Sequence, residues 1–190
     1  MNIYVITGAI QTGKTTWIAR MLELAAQRGQ QVSGVLAPAV FEDGVKTGID
    51  ALLLPSGECF ELARKNPAFE QLHKDAAGAS SADPEAAAAR RVRLAWGMSD
   101  AALARINAHF RSLRSAGFGH LMVVDEFGPL EFNGGQGYTE GMAVMDEGLP
   151  ANALLVLRPA LLDAARQRWG DFETLCVDSP IDPFLEKIAR

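Results

Sequence analysis

The chain has little cysteine: Cys59 and Cys176 are the two in 190 residues, far apart and without Cys-x-x-Cys spacing. That excludes a disulfide-stapled scaffold and a thiolate zinc site, and it fits a reduced compartment. Histidine is almost as sparse. His73, His109 and His120 show no metal-ligand spacing, so structural or surface roles are expected of them. No apolar run approaches the roughly 20 residues needed to span a membrane. The N-terminus lacks the basic start of a signal peptide, so the expectation is a cytoplasmic protein with no membrane partner. A surplus of positive charge is missing as well. The formal net charge is −5, which argues against nucleic acid as a partner, because neutralising its phosphates takes an excess of Lys and Arg on one face. One local exception is Arg90-Arg91-Val92-Arg93, which reads either as a solvated face or as a site for substrate phosphates.

What is present is ordinary for a globular chain, with 48% hydrophobic and 22% charged residues. At this length the expectation is one domain over residues 1–190, large enough to bury a core without staples. The informative stretch is Gly8-Ala9-Ile10-Gln11-Thr12-Gly13-Lys14-Thr15. It fits the phosphate-loop pattern G-x-x-x-x-G-K-[ST], and it comes after an apolar run of strand length (residues 3–7) and before a helical pattern (residues 16–28). Glycine at both ends lets the backbone curl so that successive N–H groups point at phosphate oxygens, and the helix N-terminus adds a favourable dipole. The expected nucleotide-binding set is Gly8, Ala9, Ile10, Gln11, Thr12, Gly13, Lys14, Thr15 and Thr16. Lys14 is expected to reach the outer phosphates, and the Thr15 hydroxyl to be a ligand of an accompanying magnesium ion.

Strand and helix patterns alternate along the rest. Strands are expected at residues 32–36, 121–124, 153–157 and 174–177, and helices at 139–147, 160–169 and from 182. Residues 45–54 and 58–62 flank Pro55-Ser56-Gly57, which predicts an antiparallel hairpin at the edge of the sheet. Asp43-Gly44 offers a turn before it. Residues 76–84 read as a loop, residues 85–91 as helical on propensity, and residues 92–96 as a strand. Ser99 is a candidate N-cap for a helix that buries Leu103, Ile106, Phe110 and Leu113 on one face and ends at Gly117. The implied architecture is a three-layer α/β fold with a mixed, mostly parallel sheet.

Asp125 and Glu126 close the apolar strand 121–124. In an open α/β sheet the ligand crevice lies beyond the strands' carboxyl ends. An acid there suits Asp125 to hold magnesium with Thr15. Glu126, next along, is suited to orient or deprotonate an attacking water; its alternative is a solvated residue or a helix cap. The pair leans the chemistry towards hydrolysis.

Asp125-Glu126-Phe127-Gly128-Pro129-Leu130-Glu131 resembles the Asp-Glu-x-Gly-x-x-Glu signature of the small P-loop nucleoside-triphosphatase family, a thermophilic archaeal type with a human cancer-related member. Val32-Ser33-Gly34-Val35 is similar to that family's second strand, and Thr47-Gly48-Ile49-Asp50 with Leu54-Pro55-Ser56-Gly57-Glu58 and Leu62-Ala63-Arg64 to its hairpin. The likeness runs to about residue 160 and is weakest between residues 65 and 98. It implies a P-loop NTPase fold and magnesium-dependent hydrolysis of ATP, GTP, CTP and UTP with little base preference. Two departures stand out. Gln11 replaces a frequent glycine, and Leu157-Arg158-Pro159 stands where relatives read His-Arg. Arg158 is either an arginine finger for the transferring phosphoryl group or a surface residue. Asn133-Gly134-Gly135-Gln136-Gly137-Tyr138 is either a lid near the γ-phosphate or a loose connection. The competing functions are a small-molecule kinase, with Arg90, Arg91 and Arg93 as its hint of an acceptor site, and a nucleotide-switched adaptor of the molybdopterin-assembly kind. No Asn/Thr-Lys-x-Asp element for guanine is present, and any protein partner is unknown.

Overall fold

The computed structural model describes residues 1–8, 12–66 and 96–189. Ala9, Ile10, Gln11, His73, the expected loop at 76–84, the expected helix at 85–91, the Arg90–Arg93 cluster and most of the expected strand at 92–96 therefore lie outside the described residues. Trp96 lies within them and is helical, contrary to the expected strand. Gly97 comes next at φ 48°, a left-handed position of the kind that ends helices.

Eight strands form one sheet: β1 (Asn2–Thr7), β2 (Val32–Leu36), β3 (Ala39–Glu42), β4 (Val45–Leu54), β5 (Cys59–Arg64), β6 (Leu121–Phe127), β7 (Asn152–Leu157) and β8 (Glu173–Leu175). Their order is β3-β4-β2-β6-β7-β1-β8, with β5 also paired to β4. The run from β2 to β8 is parallel, whereas β4 pairs antiparallel with β2, β3 and β5. The mixed, mostly parallel sheet with an antiparallel edge is thus present. The edge is larger than expected by one strand, β3. Its turn to β4 holds Asp43 at φ 49° and Gly44 at φ 77°, two positive values suited to a tight hairpin.

Helices α1 (Lys14–Gln27), α2 (Asp100–Ala116), α3 (Pro129–Gly134), α4 (Thr139–Asp146), α5 (Leu162–Trp169) and α6 (Ile181–Ile188) surround the sheet. A short 3-10 turn, Pro159–Leu161, precedes α5. The central strands are apolar throughout because each feeds two cores. On β1, Ile3 and Val5 join one core while Tyr4 and Ile6 join the other. On β6, Met122 and Val124 separate in the same way from Leu121 and Val123. This is the period-two alternation of a strand covered on both faces. One core takes residues of α2 and α4, the other those of α1 and α6.

Helix α2 matches its sequence pattern closely. The Ser99 hydroxyl accepts the Ala102 N–H at 3.2 Å, the chain turns out at Gly117, and Leu103, Ile106, Phe110 and Leu113 are buried. Burying each such side chain contributes about 1.5–3 kcal/mol. His109, on the same helix, places Nε2 3.2 Å from the Gly34 carbonyl and 3.0 Å from that of Leu54. His120 Nδ1 accepts the Gln31 N–H at 3.1 Å. Both histidines tie the fold together. No helix among the described residues is long and apolar enough to cross a membrane.

Candidate active site

The register aligns the carboxyl ends of three neighbouring strands. Thr7 of β1 pairs with Leu157 of β7, and Leu157 pairs with Phe127 of β6. Three segments therefore emerge at one edge of the sheet: the phosphate loop from β1, Arg158 from β7, and the Gly128 turn from β6.

The loop's two glycines need their freedom. Gly8 has φ 147° and Gly13 φ 87°, and Gly13 is the left-handed N-cap of α1, a conformation that side chains resist. Helix α1 starts at Lys14, two residues earlier than its apolar pattern indicated. The Lys14 ammonium donates to the Gly8 carbonyl at 3.1 Å and to Thr12 Oγ1 at 3.3 Å, which holds it over the loop.

Asp125 reaches the loop across β7. Ahead of the irregular step at Glu126, odd-numbered residues of β6 face the α1 layer, as Leu121 and Val123 show. Asp125 keeps that parity, and its Oδ2 accepts the Thr15 hydroxyl at 3.0 Å and the Ala37 N–H at 3.3 Å. Burial pushes its carboxyl up to about 6, against the pull of those two donors and the Lys14 charge and with a further push from Glu126. A hydroxyl and a carboxylate side by side at the loop's mouth are hard oxygen donors, a set that fits magnesium completed by waters and phosphate oxygens.

Glu126 sits where the β6–β7 ladder is irregular. Asp125 pairs with Val156 and Phe127 with Leu157, so Glu126 is the extra residue between them. A bulge of this kind re-aims a side chain. Here it brings Glu126 Oε1 to 2.5 Å from Arg158 Nε, with both side chains partly exposed. The structure thus joins two residues that the sequence could only nominate separately. Lys46 of β4 belongs to the same neighbourhood and escaped the sequence reading, because a basic residue in a polar hairpin looks like a solvated one. Burial lowers its pKa; Glu126 and then Asp125 counter that, and Arg158 adds to it. Its Nζ lies 4.9 Å from the centroid of the Trp96 ring.

Glu131 explains the rest of the Asp-Glu-x-Gly-x-x-Glu run. The residue is 8% exposed, and its carboxylate accepts the Gly128 N–H at 2.8 Å and the Tyr138 N–H at 3.0 Å, one on each oxygen. It caps α3, a short helix the sequence reading passed over, and ties down the glycine-rich stretch after it. Asn133 and Gly134 are helical and Tyr138 is buried, so that stretch is not a loose connection. Gly137 is required here: at φ 74°, a Cβ would stand 1.9 Å from Glu131 Oε1.

Burial pushes the Glu131 carboxyl up to about 7 from an ordinary 4.5, against the two N–H donors. The folded chain therefore holds a proton that the unfolded chain releases. This contribution to stability is full below pH 4.5 and is lost as pH rises through 7; its size is about 3 kcal/mol. Glu131→Gln offers one acceptor where two N–H groups need one each, so a loss of about 1–3 kcal/mol is expected. Urea unfolding at pH 5 and pH 8 checks both points: the variant should be less stable and its stability should change less with pH. An unchanged slope would show that Glu131 is not the titrating group.

The sequence matches the family described as NTPase over residues 3–147. None of the curated proteins matches the chain significantly. Two solved structures share the fold. The human cancer-related nucleoside triphosphatase is 20% identical with a TM-score of 0.62, the match covering 100% of this chain and 96% of that one. THEP1 from the hyperthermophile Aquifex aeolicus is 14% identical with a TM-score of 0.64, covering 99% of each. With the family's match spanning most of the chain and the phosphate loop and β6 acids aligned at one sheet edge, the chain belongs to the P-loop NTPase family.

Proposed function

We propose that the chain is a cytoplasmic, magnesium-dependent nucleoside triphosphatase, one domain over residues 1–190, converting triphosphate to diphosphate and phosphate with little base discrimination. The observation that carries this reading is the meeting of Thr15 and Asp125 across β7 at 3.0 Å, with Glu126 next along the strand. Loop amides and Lys14 bind the phosphates, and Thr15 with Asp125 would hold the metal. Magnesium held there would supply positive charge to offset that of the phosphates. Glu126 takes a proton from the attacking water as its oxygen bonds to the γ-phosphorus and the bond to the bridging oxygen breaks. Arg158 holds Glu126 in place and faces the charge that develops.

A phosphate-release assay with ATP, GTP, CTP and UTP, with and without magnesium, tests this. Release is expected from all four, within about tenfold of each other, only with magnesium and without any acceptor. Dependence on an added acceptor would replace hydrolysis with transfer, and a single accepted base would remove the broad specificity.

A further inference from the structure

We propose that Lys46 is a catalytic residue: its ammonium reaches from the β3–β4 hairpin to the γ-phosphate oxygens and offsets the charge that builds there as the bond to the bridging oxygen breaks. The inference rests on the triphosphatase reading above and adds to it a cation supplied from outside the phosphate loop.

The hairpin overhangs the site. Strand β2 ends at Leu36, which pairs with Leu52 of β4, and β4 runs on past that level to Val45 with β3 alongside. The chain leaves β2 through Ala37, whose N–H donates to Asp125 Oδ2 at 3.3 Å. The arm therefore starts beside the acid expected to hold the metal and projects beyond the carboxyl edge of the sheet.

An irregular step aims the lysine. On β4, Ile49, Ala51 and Leu53 face the core that takes α2, whereas Leu52 and Leu54 face the other. Plain alternation would send Lys46 the way of Leu52 and Leu54. In the β3–β4 ladder, however, Val40 pairs with Gly48 and Phe41 with Lys46, so Thr47 is the extra residue between them. The alternation reverses beyond such a step. Lys46 thus turns to the side where Trp96 packs against the α2 core, with its Nζ 4.9 Å from the centroid of that ring. The Thr47 carbonyl accepts the Lys65 N–H at 2.8 Å, which pins the step. Glu126 is aimed by the same device in the β6–β7 ladder.

The charges at this edge leave a place for an anion. Glu126 is paired with Arg158, and Asp125 is turned to Thr15. In the hairpin itself, Arg64 is taken up by Asp50 and Glu61. Lys46 is half-buried and forms no ion pair among the described residues, and the charges that act on it are Glu126, Asp125 and Arg158. The Trp96 face holds the ammonium only weakly. A charge-assisted bond to a phosphate oxygen is stronger, so the ammonium moves to the substrate when one is bound.

Steady-state kinetics and calorimetry on the full chain, with Lys46→Met and Lys46→Arg beside the parent, test this. Lys46→Met keeps the apolar stem and removes the charge. Its kcat is expected to fall about a hundredfold with ADP affinity unchanged, and Lys46→Arg should recover about tenfold or more of that loss. Magnesium ADP–aluminium fluoride, a mimic of the transferring phosphoryl group, should bind more tightly than ADP in the parent and in Lys46→Arg, and no more tightly in Lys46→Met. A parent-like kcat in Lys46→Met, or a loss that arginine does not relieve, would overturn the assignment. Because a variant can fail to fold, acylation of the parent's lysines, mapped by mass spectrometry, gives a second reading. ADP–aluminium fluoride is expected to protect Lys46 where ADP alone does not; equal labelling with the two ligands would overturn it as well. If the parent releases no phosphate from any triphosphate, the triphosphatase reading itself falls and takes this inference with it; release by Lys46→Met as fast as by the parent sinks the role of Lys46 alone.

Discussion

Lys14→Ala binds ATP about two orders of magnitude more weakly than the parent chain, the effect expected of removing one partner from a charge-assisted contact. The side chain is half-buried and held over the loop by Gly8 and Thr12. The surroundings make that charge matter. The chain is acidic overall, and Asp125 and Glu126 stand at the same sheet edge, so a triphosphate without Lys14 meets carboxylates with less to offset them. The fold should not suffer. Lys14 is the first residue of α1, and alanine is the best helix former. Calorimetric titration with ATP, beside a thermal melt as a control for folding, measures the effect. Parent-like affinity in the variant would remove Lys14 from the phosphate site.

Glu126→Gln keeps nucleotide binding and loses about a hundredfold or more in kcat, the share general-base catalysis commonly supplies. The substitution isolates the proton. Glutamine retains an oxygen that accepts from Arg158 Nε, so the contact seen at 2.5 Å survives, and the β6–β7 irregularity that aims the side chain does not depend on its charge. What disappears is the ability to accept a proton from water. Single-turnover phosphate release with saturating ATP reads the chemical step directly. A fall in affinity with kcat intact would instead make Glu126 a binding residue, and full activity would take it out of the reaction.

Much of this site was legible one segment at a time. Gly8, Gly13, Lys14 and Thr15 stand together in sequence, and the backbone geometry they need is local: positive φ at the two glycines and a helix that begins at Lys14. The apolar run before Asp125 announced a strand covered on both faces, and β6 is that strand. The spacing of Leu103, Ile106, Phe110 and Leu113 announced the buried face of α2. The misses share a cause as well. Helix α3 is too short for a period to register, and the carboxylate that caps it from within, Glu131, is also bonded to Tyr138 seven residues on. Strand β3 has four residues, three of them exposed or nearly so, so no hydrophobic alternation marks it. Lys46 carries no sequence signal at all.

From its sequence alone, this chain had a phosphate loop, an acidic pair at the end of a buried strand and an alternation of strands and helices, because glycine freedom, apolar period and capping act over a few residues. Tertiary structure decided which of those pieces meet. Inserting β7 between β1 and β6 set the distance over which Asp125 reaches Thr15, a contact between residues 110 positions apart. One irregular step in the β6–β7 ladder turned Glu126 towards Arg158, and the placement of β8 beside β1 opened a cleft on the loop's other flank. Such contacts depend on strand order and register, which arise from packing two cores against one sheet and leave no trace in any short stretch of residues.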